Sequence, residues 1–194
     1  MVERPGFYVM EGLDGVGKST VRELLKQNGF EVLKTPPEDF PVPRSEYDNL
    51  PVSDRFLFYL AGVVWASKKI DKIEKRQIIC DRYLLTTLAA HEALGLEKDY
   101  LISIEPVLKD ILRPQVTFLL TADESVRLER LISRGANEND LANFKINNRL
   151  LDGYRQWSEK LQHKLIEIDT TFLDPDEVVK FITNEIKKHE PSSK

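Results

Sequence analysis

The sequence predicts an α/β protein with a five-stranded parallel sheet and helices on both faces. Three observations lead there. An apolar run, FYVM at 7–10, passes directly into the glycine-rich stretch EGLDGVGKST; four more short apolar runs follow; helical periodicity fills the intervals between them. In such a sheet, ligands bind at the carboxyl ends of the strands, so the residues just after each apolar run are the ones to inspect.

After 7–10, the strands are expected at 30–34, 77–81, 115–121 and 165–169. The first helix begins near Lys18, carries Val21, Leu24 and Leu25 on one face, and ends at Asn28-Gly29. Further helical patterns cover 53–74, 86–94, 100–112, 123–134 and about 143–163. A last helix starts at Pro175, a favourable first-turn proline, and runs to about 188. On the second of these helices, Phe56, Leu60, Val63, Val64 and Ile70 form an apolar face expected in the core. The segment TPPEDFPVPRSEYDNLP has five prolines between Pro36 and Pro51, which bar helix and central strand alike, so it belongs at the surface. RGANENDLAN is polar and separates two helical patterns as a flap would.

Composition narrows the function classes. A chain of 194 residues supports one α/β domain, 1–194, with a short lid at about 134–143. A net charge of −4 argues against a broad nucleic-acid surface, so no nucleic-acid polymer is expected as partner. Cys80 is the sole cysteine, which excludes a disulfide framework and a thiolate zinc site. MVERPGF lacks the apolar core of a secretory signal, and no apolar run reaches membrane-spanning length. The expected setting is cytoplasmic, with no membrane partner.

The motif that carries chemistry is Gly12-x-x-x-x-Gly17-Lys18-Ser19, set between a strand and a helix as a phosphate-binding loop requires. Gly12, Leu13, Asp14, Gly15, Val16, Gly17, Lys18, Ser19 and Thr20 are thus expected to cradle a nucleoside triphosphate. Glycines let backbone N–H groups turn inward, and the helix N-terminus adds its partial positive charge. Lys18 reaches the outer phosphates and the Ser19 hydroxyl ligates Mg²⁺. A second motif, Asp81-Arg82-Tyr83, closes the strand QIIC. An acid there suits a metal-bound water, and a neighbouring arginine suits a second anionic group.

EGLDGVGKST, DRY and FLLTADESVRLERLISRG together resemble the thymidylate kinase family, nucleoside monophosphate kinases with the P-loop NTPase fold and near relatives of the deoxynucleoside kinases. The resemblance runs from Phe7 to about Trp157 and implies ATP and Mg²⁺ as cofactors, small-molecule nucleotides as partners and a homodimer. By its motifs, Asp14 contacts the acceptor's deoxyribose, Asp81 organises magnesium, Arg82 holds the acceptor phosphate and Tyr83 lies where a 2′-hydroxyl would be. Positions 127–140 match the family's lid, which makes Arg130 and Arg134 candidates to close over the transferring phosphoryl group. The departures lie elsewhere. Thr35-Pro36-Pro37 replaces an arginine-glutamate-proline turn, Ala61 and Gly62 replace an aspartate-arginine pair, and TTLAAHE replaces a run ending in glutamine, so His91 becomes the candidate beside the base. The lid core reads NEND where an aspartate-arginine pair is usual.

Transfer to a deoxynucleoside monophosphate, dTMP first, is therefore the expected activity. Two alternatives stay open. One is a deoxynucleoside kinase using Glu38 or Asp39 as base on a 5′-hydroxyl. The other is a binding module that kept the triphosphate loop and lost acceptor contacts.

Overall fold

In a computed structural model of the chain, residues 1–47, 49–74, 77–135 and 146–189 are described. Five strands, β1 (Val2–Gly12), β2 (Glu31–Lys34), β3 (Ile78–Asp81), β4 (Leu112–Thr121) and β5 (Leu165–Asp169), form one sheet in the order β2-β3-β1-β4-β5. Every pairing is parallel. Strands buried on both faces read as continuous apolar runs, and Phe7 to Met10, Ile78 to Cys80 and Phe118 to Leu120 are all buried.

Among the described residues the helices are α1 (Lys18–Gln27), α2 (Val52–Asp71), α3 (Leu84–Ala93), α4 (Lys98–Ile102), α5 (Glu105–Leu108), α6 (Glu124–Ser133), α7 (Asn147–Lys160) and α8 (Pro175–His189). Helix α1 packs with α8, while α3 packs with α2 and α7, which covers the two faces of the sheet. Phe56, Leu60, Val63 and Ile70 of α2 are buried and Val64 packs against the core, so the expected apolar face points inward.

Two elements depart from the sequence reading. Strand β1 begins at Val2 rather than at Phe7, because Val2 to Arg4 pair with Leu112 to Pro114 before a register shift. Gly6, at φ 75°, takes up that irregularity and gives its N–H to Gln115 Oε1 at 3.1 Å. The single helix expected at 100–112 is instead the short pair α4 and α5. Pro106, in the first turn of α5, has no N–H to continue a helix from before it, and Leu112 already belongs to β4. The proline-rich segment is irregular as expected, apart from a 3₁₀ turn at Arg44–Glu46.

The topology places the chemistry. The chain leaves β1 toward β2 and β3 on one side and toward β4 and β5 on the other, so the loop after β1 sits at the switch point. Register puts Asp81 of β3 level with both Met10 of β1 and Lys34 of β2. The two sequence motifs therefore share one edge of the sheet.

Candidate active site

A cleft of about 1020 Å³ opens at that edge and is bordered by Leu13 through Arg22. Its floor is the glycine loop. Gly15 has φ 86°, and a Cβ there would stand 2.7 Å from the Arg127 carbonyl oxygen, so only glycine fits between the loop and α6. Gly17, at φ 92°, precedes the first turn of α1 with no side-chain cap; the Thr20 N–H bonds the Gly17 carbonyl at 3.1 Å, and Gly17, Lys18 and Ser19 border the cleft at the helix N-terminus. Lys18 is buried, and its ammonium donates to the carbonyls of Gly12 and Leu13 at 2.9 and 2.7 Å. Burial, reinforced by the Arg82 charge, pushes its pKa down to about 7. A polyphosphate beside it would favour the charged form. Ser19 and Thr20 are exposed at the start of α1 and border the cleft.

Asp81 is buried, and its Oδ2 accepts from Arg22 at 3.0 Å. Its Oδ1 is buried with no hydrogen-bond partner. Among the described residues no three acidic, histidine or cysteine side chains cluster as a metal cage. One carboxylate, one serine hydroxyl and phosphate oxygens nonetheless suit Mg²⁺, which keeps several waters and rarely uses an all-protein cage. The orphan oxygen of Asp81 fits a metal-bound water, which would satisfy it.

Arg82 adopts a left-handed backbone, φ 66°, uncommon outside glycine, and its N–H bonds the Met10 carbonyl at 2.9 Å. Its guanidinium is held from three directions: Asp14 at 2.7 Å, Tyr154 Oη at 3.3 Å and Thr86 Oγ1 at 3.4 Å. Behind this lies Glu11, fully buried, whose carboxylate accepts from the N–H groups of Tyr83 and Thr86 and from the Thr86 hydroxyl. Burial raises the Glu11 pKa, and the bonds from Thr86 and the Arg82 charge work against that rise. Tyr83 is only 1% exposed and packs edge-to-face on Phe7 at 5.3 Å, so it meets the cleft mainly as part of its floor.

Helix α6 supplies the arginines at the other end. Arg130 donates to the Thr170 carbonyl and hydroxyl at 2.8 and 3.2 Å, which ties the β5 loop to the glycine loop, since Thr170 in turn donates to the Val16 carbonyl. Arg134 is exposed at the end of α6 and borders the cleft. The expected lid at about 134–143 lies outside the described residues beyond Gly135. Glu38 is exposed on the cleft wall, whereas Asp39 is committed to Lys69 at 2.9 Å.

Of the expected site residues, Leu13 to Thr20, Asp81, Arg82, Tyr83, His91, Arg130 and Arg134 border one cleft, while Gly12 is not among its lining residues. Four neighbours escaped the sequence reading. Glu11 opens the quoted motif yet reads there only as the end of a strand. Thr86 and Tyr154 meet Arg82 from 4 and 72 residues away. Arg127, buried, donates to the Asp14 carbonyl at 2.8 Å and braces the loop from α6. Only the 127-130-134 spacing on one helix face hinted at the last of these.

With this geometry in place, comparison with known proteins is direct. A family model described as thymidylate kinase matches residues 10–182. A probable thymidylate kinase of Methanocaldococcus jannaschii is 28% identical over 182 residues, covering 89% of this chain and 90% of that protein. A thymidylate kinase of Rickettsia bellii is 28% identical over 199 residues, with 94% of each chain covered. Among solved structures, thymidylate kinase from Candida albicans superposes with a TM-score of 0.74 at 20% identity, covering 96% of this chain and 94% of that one. Deoxyadenosine kinase from M. mycoides with bound dATP gives 0.73 at 22% identity, covering 93% and 99%. At such identities the two structures speak for the shared fold, while the family match speaks for kinship. The chain belongs to the thymidylate kinase family, and with it to the nucleoside monophosphate kinases.

Proposed function

We propose that the protein transfers the γ-phosphoryl group of ATP to a 2′-deoxynucleoside monophosphate, with dTMP as the first substrate. The observation that carries the monophosphate is Arg82. Its guanidinium is pre-oriented at the cleft by Asp14, Thr86 and Tyr154, on a backbone at φ 66°, and its fork geometry suits a phosphate. Asp14, next to it, offers a carboxylate to a sugar hydroxyl.

Phosphoryl transfer needs alignment and charge neutralisation more than covalent help. An acceptor phosphate is already ionised at neutral pH, so the protein has no proton to remove. Lys18 and the α1 N-terminus neutralise charge on the donor, while Arg82 positions the acceptor. Arg134 and Arg130 border the cleft beside the loop, with Arg130 also fixing the loop's carbonyl side. The Ser19 hydroxyl and the Asp81 carboxylate would hold Mg²⁺, which would supply positive charge to the phosphates. We further propose one domain over 1–194 with a lid near 134–143, a cytoplasmic setting and a homodimer. Among the described residues no helix is long and apolar enough to cross a membrane. Leu57 and Trp65, exposed on α2, are the candidates for a dimer face.

The alternative acceptor is a deoxynucleoside, favoured by Glu38 on the cleft wall, where a carboxylate base would serve a 5′-hydroxyl. ADP formation with dTMP, dUMP, dCMP, dGMP, thymidine and deoxycytidine separates the readings. Turnover of dTMP with a KM raised at least about tenfold in Arg82→Ala is the expected result. Faster turnover of a nucleoside, lost in Glu38→Gln, would replace it. Binding of ATP with no acceptor turned over would leave a binding module.

A further inference from the structure

Glu11 is a buried carboxylate that the transfer chemistry above leaves unused, and it ends a hydrogen-bonded chain running back from Arg82. Its two oxygens have different partners. Oε1 accepts the backbone N–H groups of Tyr83 and Thr86 at 3.0 and 3.2 Å, while Oε2 accepts the Thr86 hydroxyl. Those N–H groups stand at the start of α3, where Tyr83 makes no cap with its own side chain. A side chain from β1 therefore caps α3. The first turn of α3 is thus fixed directly after Arg82 and its left-handed backbone.

The direction of each bond follows from what each group can give. Burial works against the ionised form of Glu11, while its hydrogen bonds and the Arg82 charge work for it. In that form Glu11 accepts only, so the single Thr86 hydroxyl hydrogen goes to it. Thr86 Oγ1 must then accept from Tyr154 Oη at 2.8 Å, which uses the one Tyr154 hydrogen. Burial keeps that phenol protonated. Tyr154 Oη is left to meet Arg82 Nη1 with a lone pair at 3.3 Å, and Thr86 Oγ1 does the same at 3.4 Å. Every hydrogen in the chain points from Arg82 toward Glu11.

Resting on the assignment of Arg82 to the acceptor phosphate, we propose that Glu11 is a positioning residue whose carboxylate sets the polarity of the Thr86–Tyr154 chain, so that Arg82 meets only acceptors and stays aimed at that phosphate. Glu11→Gln reverses the chain. The amide oxygen must take the Oε1 place, where two N–H groups converge, which turns the amide NH₂ toward Thr86 Oγ1. Thr86 then sends its hydrogen to Tyr154, and the Tyr154 hydrogen has only Arg82, itself a donor, left to face. Charge alone acts in the opposite sense: removing a negative group behind Arg82 would strengthen its pull on a phosphate.

Steady-state kinetics of wild type, Glu11→Gln, Tyr154→Phe and the double variant separate the two effects. In Glu11→Gln the KM for dTMP should rise at least about tenfold, with the KM for ATP within about twofold of wild type. Tyr154→Phe should raise the KM for dTMP about three- to tenfold on its own. In the Glu11→Gln background it should lower that KM at least about threefold, because it removes the misdirected hydrogen. A Tyr154→Phe change that raises KM in both backgrounds, or a KM for dTMP unchanged or lowered in Glu11→Gln, would overturn the inference. Neutron diffraction from deuterium-exchanged wild-type crystals reads the chain without a variant, and so decides the matter even where Glu11→Gln does not fold. Deuterium on Thr86 Oγ1 toward Glu11 and on Tyr154 Oη toward Thr86 supports it; deuterium on Glu11, or on Tyr154 Oη toward Arg82, overturns it. Where wild type leaves dTMP unphosphorylated, the acceptor reading falls by itself, and the neutron positions still uphold or overturn the chain.

Discussion

The two ends of the cleft are built by different logic. At the loop end, nine consecutive residues, Gly12 to Thr20, combine glycine geometry with a helix N-terminus, so that end is built mainly from backbone. At the acceptor end, side chains from four separate regions converge: Pro36 after β2, seated on Gly62, with Arg55 on α2, His91 on α3 and Tyr154 on α7. A backbone site tolerates little variation, since each position is defined by a dihedral angle or a close approach. A side-chain site can be rebuilt by exchanging one contributor for another. The departures from the family pattern at Thr35, Gly62 and His91 fall on that rebuildable side.

The largest expected effect breaks the loop end while leaving the acceptor end whole. Lys18→Ala should cut turnover by at least about 100-fold, because a charge aimed at the transferring group is worth several kcal/mol. Acceptor binding, measured by calorimetry with dTMP alone, should change far less than turnover, since Lys18 shares no hydrogen bond with Arg82 or its partners and meets them only through charge. Turnover near wild type at saturating ATP would remove the loop from the mechanism.

That contrast also explains what could be read from the sequence. The strands, α1, the glycine loop and Asp81-Arg82 were legible because each is a local pattern: apolar runs, fixed spacing, a motif at a strand end. Glu11, Thr86 and Tyr154 were not, because their role is to hold Arg82, and only the folded chain brings residues 11, 82, 86 and 154 together. The split of the expected 100–112 helix failed for another reason: Leu112 is claimed by β4 through its pairing with Val2, a contact 110 residues long. Arg127 falls between these cases, visible as a charge and unreadable as a brace.

A smaller effect separates the acceptor end from the rest of the core through acid. His91 and His163 are both buried and neutral, each with a pKa near 4 through burial, with Arg55 and Arg113 respectively adding to the shift. The unfolded chain takes up protons first as pH falls, since its histidines titrate near 6.5. Stability from each is therefore fully present above pH 6.5 and is lost as pH falls toward 4, by roughly 2–4 kcal/mol per histidine. Glu11, raised by burial, works in the opposite direction. His163 lies away from the cleft, and its two nitrogens have no hydrogen-bond partner, so His163→Phe isolates one histidine cleanly. Its unfolding free energy should lose less than wild type between pH 7 and 4.5, with dTMP affinity at pH 7 unchanged. Identical pH profiles would show that His163 is not held neutral.

The smallest effect sharpens the comparison at one atom. Gly62→Ala adds a methyl group that would meet the Pro36 ring at 2.9 Å, so Pro36 and its turn must give way. Two stability terms oppose each other: alanine favours a helix interior by about 1 kcal/mol over glycine, and overpacking costs about 1–3 kcal/mol. The net change in melting temperature should thus be modest and downward. The informative readout is the split between substrates. Pro36 closes the acceptor end beside His91 and Arg55, while the glycine loop sits across the cleft at the switch point. The KM for dTMP should rise about three- to tenfold, with the KM for ATP unchanged within twofold. Equal rises in both would mean that the ends move as one body, and the division between a backbone-built end and a side-chain-built end would not describe this enzyme.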